Sequence, residues 1–105
     1  PDPPEEATGS IPTDKLNEVF RQHSAETRDC YERQLKTNPA LAGRVVLTLK
    51  IGPRGSVARA NAVGDTLRNE EVIDCLEAKA RAWSFPEPDG GAAKVRKPFN
   101  FSPKQ

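Results

Sequence analysis

The strongest constraint on this chain is one run of strict alternation. Val45, Leu47, Leu49 and Ile51 point one way and Arg44, Thr48 and Lys50 the other, and Gly52-Pro53-Arg54-Gly55 follows at once. A period of two over eight residues is the pattern of a strand with one buried face, and the Gly-Pro-x-Gly sequence turns the chain back. Residues 56–63 then form the returning strand of a hairpin. Its small face is Ala58, Ala60 and Ala62, which lets a helix approach closely. Val57 and Val63 stand in the opposite phase, which leaves a bulge and the strand register open.

A hairpin of two strands does not bury that face, so helices must cover it. Leu16, Val19, Phe20, His23, Thr27, Cys30, Tyr31 and Leu35 recur at helical spacing ahead of the hairpin, separated by charged residues. This first helix is expected to begin with Thr13 as N-cap and to stop at Asn38-Pro39. At about 23 residues it is long, and a break near Ser24 is open. A second helix follows the hairpin, capped by Asn69, with Glu70 and Glu71 in its first turn. Its buried face is Val72, Ile73, Cys75, Leu76, Ala80 and Trp83, and Phe85-Pro86 stops it. Residues 94–101 read as a third strand with Val95, Phe99 and Phe101 on one face. Pro98 belongs on an edge, since proline cannot donate to a ladder. The expectation is an α+β domain of order α-β-β-α-β. Its antiparallel sheet has strand order 2-1-3, with the helices on one face.

The ends are different. Pro1, Pro3, Pro4 and Pro12 sit with Asp2, Glu5 and Glu6 in residues 1–12, which reads as the end of an extended linker. The domain is assigned to residues 13–102 and a disordered tail to 103–105. The chain begins at Pro1 and contains no Met, so it is expected to be part of a longer protein with any anchor upstream. Leu, Ile, Val and Phe make up only 21 of the 105 residues, so the core is small.

Chemistry is scarce. His23 is the only histidine and lies on the apolar stripe, where a structural role against the sheet or the second helix is expected. With one imidazole and no histidine–cysteine cluster, no zinc site is assembled. Neither a nucleophile elbow nor a phosphate loop is present; Gly90-Gly91 follows a helix instead of opening one. No catalytic residue, metal or cofactor is assigned. A net charge of +1 argues against a nucleic-acid binder, and Phe99 and Phe101 are in phase with the core instead of an open stacking face. Arg44, Lys50, Arg59 and Arg96 nonetheless give the open sheet face a basic character, which serves either solubility or an anionic partner. Cys30 and Cys75 lie on the inner faces of the two helices. They are either a disulfide in an oxidising compartment or two unpaired core thiols.

An ordered set of motifs resembles the TonB-like C-terminal domain. It comprises Cys30-Tyr31-Glu32, Asn38-Pro39-x-Leu41-x-Gly43-x-Val45, Gly55-x-Val57, Trp83-x-Phe85-Pro86 and Pro98-Phe99-x-Phe101. Within that group the chain looks most like the AgmX/PglI-type C-terminal domains of myxobacterial gliding-motility proteins. The resemblance favours the Cys30–Cys75 disulfide. It implies a non-enzymatic periplasmic module on a proline-rich stalk, held to the inner membrane by a segment outside this sequence. The implied partners are segments of outer-membrane or periplasmic proteins, met as strands at the third-strand edge by Val95, Arg96, Lys97, Phe99, Asn100 and Phe101. A monomer is expected, with dimerisation left open. The alternative reading is a binder of peptidoglycan or another anionic envelope polymer through Arg44, Lys50 and Arg59.

Overall fold

A computed structural model describes residues 9–103; residues 1–8 of the assigned linker and 104–105 of the assigned tail lie outside them. The elements are α1 (Thr13–Gln22), α2 (Ser24–Leu35), β1 (Gly43–Ile51), β2 (Val57–Gly64), α3 (Glu70–Ala80) and β3 (Ala93–Phe101). The three strands form one antiparallel sheet in the order β2-β1-β3. The alternation in β1 is fully expressed: Val45, Leu47, Leu49 and Ile51 have no solvent-accessible surface. At roughly 1.5–3 kcal/mol for each such side chain, this row is a large part of what holds the domain together.

The long first helix is broken at His23, which ends α1 and begins α2 with φ −105° and ψ 13°. The bend is held from both sides. The imidazole stacks on Trp83 at 4.8 Å, and its Nδ1 donates to Glu26 Oε2 at 2.8 Å. Trp83 Nε1 donates to the other oxygen of the same carboxylate at 3.1 Å. With the chain turned there, Phe20 meets Trp83, Phe85 and Phe99 edge-on, while Tyr31 stacks on Phe101. The N-cap also lies one residue earlier than expected. Pro12 occupies the N-cap, its carbonyl accepting from Lys15 and Leu16, and Thr13 is already helical. At α3 the expected cap holds: Asn69 Oδ1 accepts from the Val72 N–H at 3.0 Å.

Two features depart from the alternation. Lys50 pairs with Arg59 but Ile51 pairs with Val57, so Ala58 is the extra residue of a bulge. Ala58 is therefore exposed instead of facing the core, whereas Ala60 and Ala62 are buried and Val57 packs against the core. The second departure is at the linker. Ser10 and Asp89 exchange two backbone hydrogen bonds of 2.9 Å, and Ile11, the one large apolar residue among the first twelve, is buried. Residues 9–12 thus pack on the domain, because Ile11 finds apolar cover there.

Several of the motif residues are explained by close approaches. Gly43 has φ +145°, and a Cβ there would lie 2.5 Å from the backbone nitrogen of Leu67. Gly55 has φ +92°, and its carbonyl accepts from the Phe85 N–H at 2.8 Å, so the segment after α3 lies directly on the hairpin turn.

Cys30 of α2 and Cys75 of α3 form a disulfide with Cα atoms 5.7 Å apart. It joins the two halves of the helical layer. Closing a 45-residue separation constrains the unfolded chain by ~4 kcal/mol in the chain-entropy model. Replacing both cysteines with serine should lower the urea unfolding free energy by a value of that order and steepen the slope, because the unfolded chain without the cross-link exposes more surface.

Hydrogen bonds from His23 first and Trp83 second hold the Glu26 carboxyl below its ordinary range. A carboxyl with a depressed folded-state value stabilises the fold above its unfolded value and loses that contribution as pH falls through the folded one. In thermal melts across pH, the difference between the wild type and Glu26→Gln should therefore be largest near neutrality. It should close on acidification below the carboxylate range.

Candidate functional site: the open edge of the sheet and its aromatic groove

The directions of the backbone groups decide which edge of the sheet is available. The Asp65 N–H donates to Arg44 O at 2.9 Å, and the Gly52 N–H donates to Ser56 O at 2.8 Å. Even-numbered residues of β1 therefore direct their backbone groups toward β2, and odd-numbered ones toward β3. In the observed register Val46 lies opposite Pro98. The same alternation turns Lys94, Arg96, Pro98 and Asn100 outward along the free edge of β3. Pro98 accordingly costs no bond to β1. Along the edge it leaves a carbonyl acceptor and no donor.

The opposite edge of the sheet is different. On β2 the outward-turned groups include the Ala62 N–H, which donates to Glu77 Oε2 of α3 at 2.7 Å. The carboxylate takes one outward donor of this edge, and α3 packs beside the strand.

Beside β3 the helical layer leaves a groove of about 990 Å³ between α1–α2 and the strand. Its floor is aromatic: Phe20, Tyr31, Phe99 and Phe101. Phe99 and Phe101 lie 6.1 Å apart and near-parallel, and both are half-buried. Lys97 Nζ stands 5.5 Å from the Phe20 centroid and 5.9 Å from that of Phe99, which places a cation over the floor. Arg21 and Arg28 of the two helices and Glu32 complete the charged lining. The Tyr31 hydroxyl donates to the Leu41 carbonyl, and burial raises its ionisation above the ordinary phenol value.

Of the residues assigned to partner contact, Lys97, Phe99, Asn100 and Phe101 line this groove. Val95 is buried beneath the helical layer, and Arg96 is exposed on the opposite face of the sheet, across from Thr48. Sequence reasoning assigned Phe20 and Tyr31 to the core stripe and gave Arg21 and Arg28 no site. Their recurrence on one helical stripe or its border was visible, but nothing local showed that the stripe overhangs a strand edge.

The basic residues of the open face fall at two separate places. Arg44 Nη2 and Nε contact Asp65 Oδ2 at 2.8 and 2.9 Å. Lys50 lies between Arg59 and Lys94 in a cross-strand row, six residues and about 20 Å along the strand from Arg44. Among the described residues no group of three or more His, Cys, Asp or Glu is placed to hold a metal ion. Among the described residues no helix is long and apolar enough to cross a membrane.

No family model and no curated protein sequence matches the chain. Its structure is similar to the solution structure of the Helicobacter pylori TonB C-terminal domain, residues 179–285 of that protein. The TM-score is 0.64 at 17% identity, over 90% of this chain and 86% of the other. This is the TonB C-terminal domain fold. In the present chain the motif residues are chiefly structural. Trp83 and Phe85 hold the α1–α2 bend, Cys30 ties α2 to α3, and Tyr31 fastens α2 to the loop before β1.

Tyr31→Phe should keep the groove floor and lose the bond to Leu41. A loss of about 1 kcal/mol in unfolding free energy is expected. The alkaline decline in stability should also be shallower than in the wild type, because the raised phenol stabilises the fold below its unfolded value and ceases to as pH rises.

Proposed function

We propose that this chain is a non-enzymatic periplasmic interaction domain that takes an extended segment of an outer-membrane or periplasmic protein as an added strand on β3. The observation that carries this reading is the asymmetry of the sheet edges. On the β2 edge the Glu77 carboxylate takes the Ala62 donor and α3 packs alongside, whereas the β3 edge borders a groove with an aromatic floor. Strand addition draws affinity from main-chain hydrogen bonds and specificity from alternate side chains, so it needs no rare catalytic motif. The donors on offer are Lys94, Arg96 and Asn100, with an interruption at Pro98. A guest therefore pairs on either side of that residue and lacks one donor between.

The periplasmic setting is supported by the disulfide, which belongs to an oxidising compartment, and by the likeness of fold to a TonB C-terminal domain. The proline-rich start fits a stalk anchored in the inner membrane. The ordered motif set extends the reading to an envelope machine of the energy-transducing or gliding-motility kind.

A second reading has its own observation. The row Lys94–Lys50–Arg59 concentrates positive charge at the hairpin end of the open face, which suits peptidoglycan or another anionic envelope polymer. Backbone NMR titration of the oxidised domain with periplasmic segments of outer-membrane proteins tests the first reading. Shifts should cluster on residues 94–101. Shifts limited to Lys50, Arg59 and Lys94, abolished by Lys50→Glu, would replace it with the second.

A further inference from the structure

The groove beside β3 is polarised along its length. Phe20 and Lys97 meet at one end and Tyr31 stacks on Phe101 at the other; Arg21, which follows Phe20 on α1, is among the lining residues. No ion pair among the described residues uses Arg21, Arg28 or Lys97. Lys97 and Phe99 are two residues apart on the same face of β3, and their groups lie 5.9 Å from each other. An added strand has the same period of two, with about 6.8 Å between side chains on one face. Its groove-side positions therefore fall in step with Lys97 and Phe99.

We infer that the segment bound in this groove is acidic and aromatic. It sets an aromatic ring on the Phe99–Phe101 floor and, two residues away, a carboxylate against Lys97 and Arg21. This rests on the strand-addition reading and adds the chemistry of the guest to it. The ring covers half-buried aromatic surface in offset or edge contact. The carboxylate meets cations whose field is sharpened by the low-dielectric aromatic floor beneath them. The order of the two groups follows strand direction. Beside β3 an antiparallel guest carries the acid after the ring, and a parallel guest carries it before.

The test uses capped fluorescent octapeptides, STVFTETS and its reverse-order partner STVETFTS, with glutamine, lysine and alanine analogues, against the oxidised domain in anisotropy and backbone NMR. One of the two acidic peptides should bind about fivefold more tightly than its glutamine analogue, with the advantage shrinking as salt rises. The alanine-for-phenylalanine analogue should bind more weakly still. Lys97→Glu should remove the acidic preference and favour the lysine peptide, a reciprocal change that a misfolded variant does not produce. Arg21→Glu should move the preference in the same direction. Equal binding of the glutamate and glutamine peptides, with shifts still on residues 94–101, overturns the guest chemistry and leaves strand addition standing. If no peptide shifts β3 at any concentration, both fall.

Discussion

Burial of Val45, Leu47, Leu49 and Ile51 on a strand with neighbours on both sides is the constraint from which the other features follow. A central strand with four fully buried side chains on one face requires cover over its whole length. α3 supplies it over β1 and β2, where Ala60 and Ala62 allow close approach. Over β3 the cover from α1 and α2 includes large aromatic side chains, Phe20 to Phe99 and Tyr31 to Phe101. Large rings hold a helix away from a strand as well as joining it. The groove is the space that this leaves.

The same contrast separates the two edges. Where the helical layer lies close, a side chain from α3 reaches the backbone of β2 and occupies its Ala62 donor. Where the layer stands off, the backbone of β3 keeps its outward groups, and only Pro98 interrupts them. An edge of this kind is a hazard unless it is short, charged or interrupted. Lys94, Arg96, Lys97 and Pro98 meet that requirement against self-pairing, and the cations are compatible with an acidic guest. Protection and recognition are thus carried by the same stretch of chain.

The disulfide and the His23–Glu26–Trp83 cluster hold the stand-off in place. The first ties α2 to α3, and the second fixes the angle between α1 and α2 against the segment that follows α3. Neither touches the proposed guest.

Much of the fold was legible in the sequence, because periodicity and turn chemistry act over a few residues. The alternation of residues 44–51, the Gly52–Gly55 turn, the Asn69 cap and the edge position of Pro98 each express a local rule, and the strand order followed from connectivity. The facing cysteines needed only the assumption that both helices share one sheet face. What the sequence left open or misplaced depends on distant partners. The bulge at Ala58 is decided by the pairing of Val57 with Ile51, the bend at His23 by Trp83, and the docking of Ile11 by apolar cover on the folded domain. The candidate site belongs to this second group. Phe20, Arg21, Arg28 and Tyr31 read as an ordinary amphipathic helix, and Lys97, Phe99 and Phe101 as an ordinary edge strand. They become a groove only when packing sets one beside the other at the distance of an aromatic ring, and no local pattern encodes that separation.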